Sequence, residues 1–112
     1  MKKAIEKLFR IVEEKKATLS FITAGGGVSL FEIFRIPGAS RIMIEARMLY
    51  SEPSIRGFLQ HDISEKFVSQ EVADQLCRAQ YLETHADICF GLTCALVSER
   101  ARKGGSRGYL SV

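Results

Sequence analysis

Residues 18–29 read Thr18-Leu19-Ser20-Phe21-Ile22-Thr23-Ala24-Gly25-Gly26-Gly27-Val28-Ser29, and the rest of the chain is best read outward from them. Leu19 and Phe21 share one face of a short strand predicted over 18–24. Three glycines then break the chain. Leu30, Ile33 and Phe34 resume at helical spacing over 28–35, and Pro37-Gly38 ends that helix. A strand that runs through glycines into a helix can do chemistry. Glycine lets the backbone take positive φ and approach a ligand closely. A helix N-terminus offers unpaired N–H groups and the positive end of a dipole, so it favours anions, phosphate above all. In open α/β sheets ligands bind beyond the carboxyl ends of the strands, where this loop lies. The spacing is neither GxGxxG nor GxxxxGKS/T. The residues therefore leave two readings open. One is an anion site at Gly25, Gly26 and Gly27, with Ser29 as a further donor. The other is a tight turn with no ligand.

Towards the N-terminus, Ile5, Leu8, Phe9 and Val12 form one apolar stripe, which predicts a helix over 2–16. Towards the C-terminus, Ile42, Ile44, Ala46 and Met48 alternate with Arg41, Met43, Glu45 and Arg47, which predicts a strand over 41–50. Arg41, Glu45 and Arg47 then share a face, as ion pairs or a solvated edge. Ser51, followed by Glu52 and Pro53, starts a helix to about Gln60 with Ile55, Phe58 and Leu59 inward. Ser69 caps another through Thr84, with Val72, Ala73, Leu76 and Ala79 on its buried side. Residues 87–93 and 109–112 read as strands, and the last leaves an edge to be covered. Alternation of this kind predicts a sheet layered between helices. His61-Asp62 falls in a helix-to-helix loop without a partner nucleophile nearby and reads as solvated.

The bulk properties exclude several classes. At 112 residues, 46% of them apolar and 26% charged, the chain has the size and make-up of one globular domain. No apolar run approaches the roughly 20 residues that span a bilayer. Met1-Lys2-Lys3 leads into an amphipathic segment rather than a signal peptide, so a cytoplasmic protein without membrane partners is expected. Cys77, Cys89 and Cys94 make no CxxC pair and read as small buried hydrophobes, and no metal site is expected. The net charge of +3 comes from residues 98–107, where Arg100, Arg102, Lys103 and Arg107 face one anion, Glu99. These cations either clamp phosphates or solubilise a loop. No aromatic residue interleaves them as single-strand platforms require, which makes a nucleic-acid accessory role the weakest reading.

Four motifs in order carry a family resemblance. Gly26-Gly27 followed nine residues later by Pro37-Gly38-Ala39-Ser40 resembles the Gly-Gly…Pro-Gly-Ser-Ser spacing of the CinA carboxy-terminal domain. Tyr50-Ser51, Val68-Ser69-Gln70-Glu71-Val72-Ala73 and Ala86-Asp87-Ile88 into Thr93 resemble its later elements. The likeness covers about residues 18–112 and is closest to a divergent branch of that competence-damage family. It implies a three-layer α/β/α sandwich with a mixed sheet of four to five strands, and a homo-oligomer. It also implies a chemistry, hydrolysis of the nicotinamide mononucleotide amide by a serine/lysine pair with no cofactor. Tyr50, Ser51 and Thr93 then join the glycines, Ser29, Arg100, Arg102 and Lys103 as candidate ligand-binding residues. Here the chain departs from the family. Its serine falls on Thr23, the glutamate before it on Ile22, and its lysine on Ile55. Arg56 stays protonated and cannot replace a lysine base. The family's last strand and helix have no counterpart after Val112, through truncation or because a partner covers the edge. The expectation is a nucleotide- or phosphate-binding module with degenerate catalytic residues. The alternative is an active amidohydrolase using Thr23.

Overall fold

The computed structural model describes residues 2–60, 69–94 and 108–112. Helix α1 (Lys2–Glu14) leads into strand β1 (Leu19–Ala24), a 3₁₀ helix (Val28–Arg35) and a short 3₁₀ turn (Ala39–Arg41). Strand β2 (Met43–Leu49), helices α2 (Glu52–Leu59) and α3 (Gln70–Thr84), and strands β3 (Ile88–Cys94) and β4 (Gly108–Ser111) follow. The expectations for His61-Asp62 and for Arg100, Arg102, Lys103 and Arg107 fall outside the described residues.

The sheet has four strands in the order β2-β1-β3-β4. β1 lies parallel to both β2 and β3, and β4 runs antiparallel to β3. This is the expected α/β architecture with a mixed sheet flanked by helices. Side-chain alternation on β1 separates two cores. Leu19 and Phe21 face α1 and the 3₁₀ helix, where Ile5, Phe9, Val12, Ile33 and Phe90 pack. Ile22 and Ala24 face α2 and α3, where Leu49, Ile55, Val72 and Leu76 pack. The two layers follow from handedness. The β1-to-β2 crossover steps one way along the sheet and the β2-to-β3 crossover steps back past β1. Right-handed connections place the two on opposite faces.

The caps read from sequence form. Ser51 Oγ accepts from the Ser54 N–H at 3.3 Å and Ser69 Oγ from the Val72 N–H at 3.2 Å. Gly91 sits on β3 where α3 crosses closest, because a Cβ there would lie 2.8 Å from the Ala73 carbonyl oxygen and 2.8 Å from the Cys77 nitrogen. Cys77 and Cys89 are buried, as expected. Each thiol donates to the other's backbone carbonyl, at 3.4 and 3.5 Å.

Two expectations are corrected. Residues 28–35 wind as a 3₁₀ helix, with Leu30 N–H donating to the Gly27 carbonyl at 3.0 Å. Three residues per turn line up Leu30, Ile33 and Ile36 and rotate Phe34 outward. The second strand begins at Met43 rather than Arg41. Gly38 takes φ 90° and starts a turn through Arg41, whose guanidinium reaches Glu13 at 4.0 Å, away from Glu45 and Arg47. A bulge between Leu19 and Ser20 in the β1–β2 register then breaks the strict alternation at Ile44, which is 51% exposed, while Met48, beyond the bulge and level with Thr23, is 37% exposed.

Candidate functional site

Ala24 is level with Leu49 on one side and Thr93 on the other, so three parallel strands end together. The glycine loop and Tyr50-Ser51 leave from that one edge, where β3 also ends, at Cys94. Gly25 (φ 79°) and Gly27 (φ 74°) both hold left-handed conformations that side-chain-bearing residues avoid. The Gly25 N–H donates to the Leu49 carbonyl at 3.0 Å, which ties the loop to β2. Among the described residues, nothing accepts from the N–H groups of Gly26, Gly27, Val28 and Ser29. Gly26 is itself buried. Successive unpaired N–H groups in such a turn form a concavity with positive potential.

Thr23 lies directly beneath this loop. It is 0% exposed, and its hydroxyl has no hydrogen-bond partner. Its register neighbours are Met48 and Leu92. The methyl of Thr23 and the side chains of Leu92 and Leu30 crowd the point where a Gly27 Cβ would stand, at 3.0, 3.0 and 3.5 Å. A buried hydroxyl left unpaired costs about 1–3 kcal/mol, and it sits under the stretch of unpaired N–H groups.

The other sequence candidates distribute unevenly. Ser29 is half-buried in the first turn of the 3₁₀ helix. Tyr50 stands 70% exposed. Ser51 spends its hydroxyl oxygen on the α2 cap. Thr93 is buried and turned to the α3 side, where its Oγ1 donates to the Ser69 carbonyl at 3.4 Å. The structure therefore brings Thr23 and the glycines together and puts the Thr93 side chain on the opposite face. Ile55, where the sequence resemblance put a lysine, is buried in the α2–α3 core, also opposite to Thr23. Sequence reasoning missed Leu30, Leu92 and Met48 as the apolar walls around Thr23. The alternation Ile88, Phe90, Leu92 was the signal for one of them.

Two grooves lie elsewhere. One of about 470 Å³ runs between α1 and the 3₁₀ helix, lined by Phe9, Arg10, Glu32 and Arg35 among others. Another of about 620 Å³ lies beside Cys77, Arg78, Tyr81 and Cys89. Neither includes a glycine-loop residue. Among the described residues no cluster of side chains could hold a metal ion, and no helix is long and apolar enough to cross a membrane.

An α/β domain with a glycine loop at the carboxyl edge of a mixed sheet is the class that these features define. Solved structures place the fold more narrowly. The competence/damage inducible protein CihA from Agrobacterium tumefaciens superposes with a TM-score of 0.72 at 14% identity, over 91% of this chain and 64% of its own. A competence-damaged protein (CinA) superfamily member from Klebsiella pneumoniae gives 0.73 at 13%, over 92% and 68%. The competence damage-inducible protein A (ComA) from Klebsiella pneumoniae subsp. pneumoniae gives 0.73 at 10%, over 97% and 80%. The chain is thus similar in fold to CinA-superfamily proteins and spans about two thirds of the length of the first of them. No protein-family model matches the chain, and no curated protein sequence does.

Proposed function

We propose that the chain is a single CinA-like cytoplasmic domain that binds a nucleotide-like or phosphate anion at the glycine loop, forms a homo-oligomer, and does not hydrolyse an amide. One observation carries the binding reading. Four consecutive N–H groups, Gly26 to Ser29, stand without acceptors among the described residues, above a buried and unpartnered Thr23 hydroxyl. A phosphate oxygen in the loop satisfies these donors, and the N-terminal end of the 3₁₀ helix adds a favourable field. Residues after Cys94, including Arg100, Arg102 and Lys103, supply counter-charge in this reading.

Two facts support binding without turnover. Thr23 is fully buried, so a substrate carbonyl reaches its hydroxyl only if the loop opens. Ile55 stands where the family has its lysine and offers no base. The test is a thermal-shift series with nicotinamide mononucleotide, nicotinic acid mononucleotide, AMP, ADP-ribose and inorganic phosphate, with ammonia assayed in the same samples. A ligand at 100 times its dissociation constant adds about 2.7 kcal/mol of stability, a shift of several degrees for a domain of this size. The expected result is a shift without ammonia. Ammonia release that disappears in Thr23→Val establishes the hydrolase instead. No shift with any phosphate-bearing ligand removes the site.

A further inference from the structure

The outer edge of the sheet at β2 carries the inference. Among the described residues β2 is an edge strand seven residues long, and no strand covers its far side. The Leu49 carbonyl accepts from Gly25 and the Glu45 carbonyl from Ser20 Oγ, so residues 45, 47 and 49 direct their backbone groups to β1. Residues 46 and 48 then direct theirs outward. Long edges are normally blunted by proline, unpaired charge, a bulge or a covering side chain. β4, at the other edge, follows that rule. It has four residues, and its Leu110 carbonyl already accepts from Gln70 Nε2 at 2.9 Å. β2 follows it only through the bulge at Ile44, before Glu45. Its only charges, Glu45 and Arg47, neutralise each other at 2.6 Å, and Arg47 is held over the Phe58 ring at 4.3 Å. Its apolar residues Ile44 and Met48 are left exposed.

We propose that two copies of this chain join through their β2 edges, antiparallel, with the two-fold axis at Ala46. The sequence Met43-Ile44-Glu45-Ala46-Arg47-Met48-Leu49 is complementary to its own reverse about that residue. Ile44 then faces Met48 of the second copy, and Glu45 faces Arg47. Ala46 faces Ala46 as a hydrogen-bonded pair, because its backbone points outward. Glu45 and Arg47 therefore occupy the non-hydrogen-bonded positions, where opposed residues approach to about 4.5 Å between Cα atoms. The two intrastrand ion pairs become one network of four charges, and cross-strand pairs of opposite charge and of apolar side chains both stabilise a ladder. Any other centre on this strand breaks one of these matches. Centring on Glu45 or Arg47 sets like charges opposite each other. The product is one continuous eight-stranded sheet.

This inference gives the homo-oligomer of the preceding section a surface, and it does not depend on the anion site. The test is sedimentation equilibrium on the full chain and three variants, each checked for native circular dichroism. Wild type sediments at twice the chain mass. Ile44→Lys, at a half-exposed position, sediments as a monomer. Arg47→Glu weakens the dimer at least tenfold, and the swap Glu45→Arg/Arg47→Glu restores it to within about threefold, since opposed charges recur. A monomeric wild type overturns both the oligomer and this edge. A dimer that persists unchanged in Ile44→Lys overturns the edge alone.

Discussion

Adding one methyl group at Gly91 and at Gly57 should move stability in opposite directions. A Cβ at Gly91 would meet the Ala73 carbonyl oxygen at 2.8 Å, the Cys77 nitrogen at 2.8 Å and the Cys77 Cα at 3.1 Å. Ordinary non-bonded contact lies at roughly 3.5–4.0 Å. All three atoms are backbone of α3, so no rotamer change relieves the overlap. The helix must lift, and lifting stretches the Cys77–Cys89 hydrogen bonds and the bond from Gln80 Nε2 to Ser20 Oγ at 2.8 Å. Overpacking of this kind costs about 1–3 kcal/mol, more than the ~0.8 kcal/mol that burying one methyl returns. At Gly57 nothing lies within 4 Å of the added Cβ, and the residue is inside α2. Alanine there is favoured over glycine by about 0.5–1 kcal/mol. Urea unfolding of Gly91→Ala and Gly57→Ala should therefore differ by about 1–3 kcal/mol, with wild type between them. Gly91→Ala within 0.5 kcal/mol of wild type would refute the close approach of α3 to β3.

Three further outcomes follow from buried polar groups. Thr23→Val replaces an unpartnered buried hydroxyl with a methyl of the same shape, so it should raise the unliganded melting temperature. Ser20→Ala removes one of the two acceptors of Gln80 Nε2, leaving the Phe21 carbonyl, and the donor to the Glu45 carbonyl at 2.9 Å, and should cost about 1–3 kcal/mol by denaturant titration. Burial, with Cys77 beside it, pushes the Cys89 thiol up to about 12. The folded state then keeps the proton that the unfolded chain gives up near pH 8.5–9, so stability should fall as pH rises from about 9 to 12. Cys89→Ala should flatten that part of the pH profile, and native Cys89 should alkylate far more slowly than the unfolded chain, as peptide mass spectrometry can follow.

The helices were the legible part of the sequence. Ser51 and Ser69 announce their helices because a cap is a local interaction, settled within three residues. The apolar stripe of α1 is equally local. What the sequence concealed depends on partners far along the chain. Phe34 reads as inward at 3.6 residues per turn and is outward at 3.0. Nothing in residues 28–35 states which winding the facing α1 selects. The bulge opposite Leu19–Ser20 is set by pairing with β1, so Arg41 looked like a strand residue and Ile44 like part of a regular alternation. Thr93 was legible as a residue at a strand end but not as one turned towards α3. One parity step along β3 separates it from Leu92, which does wall the Thr23 site.

The candidate anion site and the candidate edge are close in the sheet yet should act independently. Thr23 is level with Met48, one strand in from the β2 edge. In a pair centred on Ala46, Met48 lies opposite Ile44 of the second copy, so the two Thr23 residues are four residues apart along the strand direction. Four residues rise about 13 Å, and the three strand spacings between the two β1 strands add about 14 Å sideways. The two hydroxyls are then about 19 Å apart, and because the copies run antiparallel their glycine loops open at opposite ends of the continuous sheet. A mononucleotide held at one loop cannot touch the other. Binding should be non-cooperative, and the Ile44→Lys monomer should show the same phosphate-dependent stabilisation as the dimer at saturating ligand. A shift lost together with the dimer would mean that the second copy completes the site, and the antiparallel arrangement about Ala46 would then be wrong.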